Sequence, residues 1–191
     1  MELLKKRILS DGKIVDGNVI QVSSFLNHMI DTKLMYEIGK ELVSIFKDYT
    51  PTKIITIETS GIPIAAFCAL ELQIPFIIAK KHTALNLTGD FYTADVFSYT
   101  KQSTFNIRIS KEYINQNDRI LIVDDFLACG GAVEGLIQII NEANAILIGV
   151  GICIEKTFHK GAEKLISQGV NLHSLVRIKS IENGVISIID Q

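Results

Sequence analysis

The sequence predicts an α/β fold: a parallel twisted sheet with helices on both faces, and a separate β-ribbon or mobile loop. Several short runs are continuously apolar, as strands buried on both faces are. Segments of helical period alternate with those runs. One polar stretch, residues 83–104, breaks the alternation; it is rich in Thr, Asn, Ser and Tyr and reads as a β-ribbon or mobile loop.

In chain order, residues 34–46 place Met35, Ile38, Leu42 and Ile45 at helical spacing, with Asp31 available as a cap. A strand is expected at 53–57, ending in Glu58-Thr59-Ser60-Gly61, and Pro63 suits the first turn of a helix that runs to Leu72. A second strand, 74–79, ends in Lys80-Lys81-His82. Beyond the polar excursion come a strand at 119–123, the acidic pair Asp124-Asp125, a glycine-containing loop and a helix at 132–142. Val133, Leu136, Ile137 and Ile140 give that helix its apolar face. A strand at 145–154 ends in Glu155-Lys156. A helix at 162–168, stopped by Gly169, precedes a last strand at 185–189.

The 191 residues fit one domain, 1–191, without repeat, linker or low-complexity stretch. A chain 48% hydrophobic and 21% charged is not of the disordered class. The net charge of −2 supplies no general basic field for nucleic acid. Cys68, Cys129 and Cys153 form no CxxC pair and are expected as reduced thiols. No signal-like apolar core follows the basic residues Lys5, Lys6 and Arg7, so a cytoplasmic location is expected. The longest apolar run, 145–154, is far shorter than the ~20 residues of a membrane span, so no membrane association is expected. His28, His82, His159 and His173 share no metal-ligand spacing; surface or hydrogen-bonding roles are expected, and no protein-built metal site.

In an open parallel sheet a ligand sits beyond the carboxyl ends of the strands. Glu58-Thr59-Ser60, Asp124-Asp125 and Glu155-Lys156 should therefore converge on one site. The richest segment is Ile120-Leu121-Ile122-Val123-Asp124-Asp125-Phe126-Leu127-Ala128-Cys129-Gly130-Gly131-Ala132. Small residues let backbone amides approach an anion, and the helix start adds a favourable dipole. Carboxylates beside a phosphate cradle repel phosphate but suit the hydroxyls of a sugar whose phosphate lies in the loop. An Asp-Asp pair alone reads more simply as an acid-capped turn; the whole order of strand, acids, loop and helix favours the sugar-phosphate site. GxGxxG and GxxxxGK[ST] are both absent.

The segment resembles the phosphoribosyl pyrophosphate (PRPP) motif of type I phosphoribosyltransferases. That resemblance implies a parallel sheet with a flexible hood and a Mg²⁺-assisted transfer from PRPP to a nucleobase. Five further stretches resemble the xanthine branch of the family, in collinear order: Ser24-Phe25-Leu26-Asn27-His28, Ile57-Glu58-Thr59-Ser60-Gly61-Ile62, Ala79-Lys80-Lys81-His82, Ser98-Tyr99-Thr100-Lys101 and Ile154-Glu155-Lys156-Thr157-Phe158. The resemblance implies that amides of Ala128, Cys129, Gly130, Gly131 and Ala132 hold the 5′-phosphate. It gives Asp124 and Asp125 the ribose hydroxyls and the charge developing on the ring. Ser60 and Gly61 match the pyrophosphate loop, where a non-proline cis peptide is typical, and Lys81 a pyrophosphate contact. Ile20, Asn27 and Lys156 match purine-contacting positions. Lys156 can donate to a 6-oxo oxygen, which adenine lacks, and Asn27 can meet a 2-oxo group, which hypoxanthine lacks.

Taken singly, Asn27 and Lys156 are ordinary surface residues. Phe126 and Phe158 suit base stacking or the core equally, and Tyr99 and Lys101 either the hood or a plain exposed strand. Two positions depart from the pattern. Ala128 stands where hypoxanthine-guanine enzymes carry a third acid, and Ala-Cys-Gly-Gly-Ala replaces the usual Ala-Asn-Gly-Gln-Ala. The glycine pair resembles adenine enzymes, so adenine, hypoxanthine and guanine remain alternative bases. A non-catalytic PRPP sensor is the alternative of another class. The implied assembly is a homodimer, with Mg²⁺ held mainly through PRPP and pyrophosphate.

Overall fold

The computed structural model describes residues 1–15, 19–81, 89–98 and 103–189. A six-stranded sheet forms the centre. Its chain-ordered strands are β3 (Lys53–Ile57), β4 (Phe76–Ala79), β7 (Arg119–Leu127), β8 (Ile146–Lys156), β9 (Leu172–Glu182) and β10 (Val185–Ile188). They lie in the order β10-β9-β8-β7-β3-β4, parallel except for β10, which runs antiparallel to β9. From β3 the chain moves outward to β4, then returns to the other side of β3 for β7, β8 and β9. The reversal lies between β3 and β7, and a doubly wound sheet opens its crevice there.

β7 shows why the sheet needs cover on both faces. Leu121 and Val123 enter one core with Leu4, Ile8, Ile38, Leu42 and Ile64, from α1 (Glu2–Asp11), α2 (Thr32–Phe46) and α3 (Gly61–Leu72). Ile120 and Ile122 enter the other with Val133, Leu136 and Leu165, from α4 (Gly131–Glu142) and α5 (Gly161–Ser167). The period of two splits one apolar run between two cores. Cys68 and Cys153 are buried, and burial pushes the Cys68 thiol up to about 12, so it packs as a neutral apolar group.

The helices lie close to their expected bounds. Asp31 caps α2 by accepting from the amides of Lys33 and Leu34 at 3.2 and 3.1 Å. The excursion is a ribbon: β5 (Phe91–Ser98) pairs antiparallel with β6 (Ser103–Ser110). The second strand runs beyond the expected end at residue 104, because Ile107 and Ile109 alternate inward to join Ala94 and Val96 against α4. His82, Tyr99 and Lys101 lie outside the described residues.

Some elements depart from the sequence reading. β7 continues to Leu127 rather than stopping at Val123, because its ladder to β8 persists to Leu127 opposite Glu155 and carries the acids as strand residues. β9 was not expected. Its exposed His173 and Lys179 interrupt the apolar pattern, while Val176 and Ile178 are buried. α1, the three-residue strands β1 (Lys13–Val15) and β2 (Val19–Gln21), and a π-helical turn at Ser23–Asn27 also escape the pattern. α1 buries only Leu4 and Ile8, among three basic residues. Among the described residues no helix is long and apolar enough to cross a membrane.

Candidate active site

β7 carries Asp124 and Asp125 to the carboxyl end of the sheet, and the chain then turns through Ala128–Gly130 into α4. Gly130 caps that helix at φ +86°, a left-handed conformation that a side chain at this position would strain. The amide of Gly161, at the start of α5, donates to the Ala128 carbonyl at 3.1 Å and braces the turn. Ala128, Cys129, Gly130, Gly131 and Ala132 line a cleft of about 210 Å³. The first amides of α4 have no partner within the helix, so the cleft offers donors and a positive dipole end together. Both favour an anion such as phosphate.

Asp124 is 6% exposed. Burial and then the charge of Asp125 push its carboxyl well above the usual range, while the Lys81 ammonium pulls the other way. Burial also raises Asp125, opposed by the amide of Phe126 and by hydrogen bonds to Asp124 and Asn27. The Asp125 amide donates to Asp124 Oδ1 at 3.0 Å, and the Phe126 amide to Asp125 Oδ1 at 2.9 Å. Adjacent buried carboxylates of this kind are relieved by hydroxyl donors or positive charge. The loop after β3 faces them. A Cβ on Gly61 would stand 2.6 Å from Asp124 Oδ1, so only glycine lets α3 begin this close to the acid. Ser60 stands at the N-cap position of α3 without a side-chain capping bond, and the Glu58–Thr59 peptide is cis.

Lys81 lines the cleft, with Nζ 5.2 Å from the Phe105 ring centroid. Asn27 ends the π-helical turn, close enough to Asp125 to favour its charged form. Lys156, at the end of β8, holds Nζ 5.4 Å from the Phe126 ring centroid. Its pKa is lowered by burial and drawn back up by the charge of Asp125. Phe126 both lines the cleft and packs on the core. The structure thus gathers Asn27, Asp125, Phe126 and Lys156. Ile20 lies in the core at 5% exposure. Phe158 is 40% exposed and packs on His159 at 4.7 Å.

Three features escaped the sequence reading. Glu58 binds the Lys80–Lys81 turn, Phe105 of β6 lies beneath Lys81, and Cys129 Sγ lies 3.8 Å from His159 Nδ1. Each joins residues distant in sequence, and no local pattern announces such a contact. Among the described residues no three His, Cys, Asp or Glu side chains gather as a metal site. The Asp124–Asp125 pair fits Mg²⁺, which usually takes one or two carboxylates together with substrate phosphates and water.

Residues 26–165 match the family model of the phosphoribosyl transferase domain. The xanthine phosphoribosyltransferase of Bacillus cereus is 47% identical over all 191 residues, covering 97% of that protein. Those of Pediococcus pentosaceus and Clostridium novyi are 49% and 50% identical over 95% and 96% of this chain, and 95% and 97% of their own lengths. Among solved structures, adenine phosphoribosyltransferase from Rhodothermus marinus aligns with a TM-score of 0.75 at 23% identity, over 93% of this chain and 97% of that one. The Trypanosoma brucei enzyme aligns at 0.77 and 20% identity, over 91% and 79%. At such identities these structures establish the fold alone, the type I phosphoribosyltransferase fold. The sequence relatives reach further: the chain belongs to the phosphoribosyltransferase family, in the branch of the xanthine phosphoribosyltransferases.

Proposed function

We propose that the chain transfers the 5-phosphoribosyl group of PRPP to N9 of xanthine, giving xanthosine 5′-monophosphate and pyrophosphate. One observation carries the reaction class: a strand-borne acid pair opens into a glycine-turned helix start, at the point where the strand order reverses. The near-full-length relatives supply the base. The bond from C1′ to the pyrophosphate oxygen breaks as the bond to N9 forms, and the proton of the attacking purine passes to solvent.

Each residue then has a task. Amides of Ala128 to Ala132 hold the 5′-phosphate. Asp124 and Asp125 accept from the ribose hydroxyls and stabilise positive charge developing on the ring. Ser60, Gly61 and Lys81 take the departing pyrophosphate. Lys156 donates to the 6-oxo oxygen, Asn27 meets the 2-oxo group, and Ile20 backs the purine pocket from the core. Asp124 and Asp125 would lie beside a Mg²⁺ ion carried in mainly with PRPP, which would supply positive charge against the leaving pyrophosphate. The β5–β6 ribbon serves as the hood that limits water at the reacting centre. The same reading makes the enzyme a cytoplasmic homodimer of purine salvage. Mixing the protein with Mg²⁺, PRPP and xanthine should release pyrophosphate and xanthosine 5′-monophosphate in equal amounts. Absence of both products would overturn the reading.

A further inference from the structure

We propose that Glu58 is a positioning residue, holding Lys81 in place for the pyrophosphate end of PRPP; the inference rests on the functional reading above. The Glu58 amide donates to the Ala79 carbonyl at 3.1 Å, which extends the β3–β4 pairing to the edge of the site. From there its carboxylate reaches the next turn. Oε1 accepts from the Lys81 amide at 2.5 Å, and Oε2 lies 3.6 Å from Lys80 Nζ. The ribbon grips the same turn from the other side. Lys80 and Arg108 exchange backbone hydrogen bonds of 3.0 Å each way.

The Lys80–Lys81 backbone is therefore fixed between the loop after β3 and strand β6. Held in this way, Lys81 lines the cleft. The Glu58 carboxylate is taken up by the Lys81 amide and by Lys80, so it acts through Lys81. The contact with Lys80 is a half-exposed ion pair and contributes little. The bond from the Lys81 amide to a charged acceptor is the stronger restraint. Pairing Lys80 with Glu58 also moderates repulsion between neighbouring ammonium groups. An ordinary turn cap would leave catalysis untouched, whereas a positioning residue shows itself in the handling of PRPP.

The test compares Glu58→Ala, Glu58→Gln, Lys81→Ala and the double variant Glu58→Ala/Lys81→Ala, with Glu58→Met in place of Glu58→Ala should that protein not fold. Steady-state kinetics is run beside calorimetric PRPP binding and melting curves. Glu58→Ala should raise the KM for PRPP about tenfold, with the KM for xanthine near the wild-type value. Glu58→Gln keeps an acceptor for the Lys81 amide and should recover most of the loss. With Lys81 already alanine, removing Glu58 should cost less than about twofold more. Independent, multiplying losses in the double variant would overturn the proposal, as would equal rises in both KM values or a Gln variant as poor as Ala. PRPP binding with no transfer to xanthine would instead refute the base assignment and leave the Glu58 comparison readable by calorimetry.

Discussion

The phosphate flank and the purine flank of the cleft are built by different means. The phosphate flank is one contiguous stretch, Asp124 to Ala132, locked by the β7–β8 ladder and turned by Gly130 into α4. On the proposed reading, backbone amides and one glycine conformation do most of its work. The purine flank of the proposed reading draws on Ile20 of β2, Asn27 of the π-helical turn and Lys156 of β8, three elements far apart in sequence. On the same reading, side-chain identity does the work there. Changes on the phosphate flank should therefore lower turnover with every base, and changes on the purine flank should alter the ratio between bases.

The largest effect expected is that of Asp124→Asn, which should lower kcat at least about 100-fold with all bases. The protein should nonetheless melt no lower at neutral pH. Burial raises the folded pKa of Asp124, so its ionised form is disfavoured by the fold. The stability tied to this group is fully present at low pH and lost as pH rises through that raised value. Asn removes the penalty. The difference in melting temperature should favour the variant near about pH 8 and shrink on acidification. A variant less stable than wild type at neutral pH would contradict this account of the acid.

Gly61→Ala should come next. Its methyl would clash with Thr56 Oγ1 and meet Asp124 Oδ1 at 2.6 Å, displacing Thr56, the acid or the start of α3. A loss of about ten- to a hundredfold in kcat/KM is expected with every base, because small misplacements of reacting groups are costly. Normal turnover would show that the acid does not depend on this contact. Asn27→Leu sharpens the comparison from the other flank. Xanthine should lose about five- to a hundredfold relative to hypoxanthine, since only xanthine has the 2-oxo partner. Asn27 also lies close enough to Asp125 to favour its charged form, so equal losses with both bases would assign it to the acid rather than to the base. The smallest effect belongs to Cys129→Asn. This half-buried loop side chain should shift the KM for PRPP by no more than about threefold, with base preference unchanged.

The two flanks also differed in how legible they were. The phosphate flank could be read directly, because strand, acids, small residues and helix follow one another within thirteen residues. The purine flank was reached only through resemblance, since nothing at Ile20, Asn27 or Lys156 marks them locally. β9 escaped for a related reason. Its alternation hides the apolar half behind His173 and Lys179, and its strand character depends on pairing with β8 and β10. The grip of Glu58 on the Lys81 amide was invisible because 23 residues separate the partners and the acceptor bonds backbone.

The central claim is that side chains on the purine flank make the site one for xanthine. The most direct measurement is kcat/KM of the unmodified protein, with Mg²⁺ and PRPP, for xanthine, guanine, hypoxanthine and adenine in one series. Xanthine should give the highest value. Adenine should give the lowest, because it presents an amino donor where the Lys156 ammonium needs an acceptor. Adenine equal to or above xanthine would contradict the account.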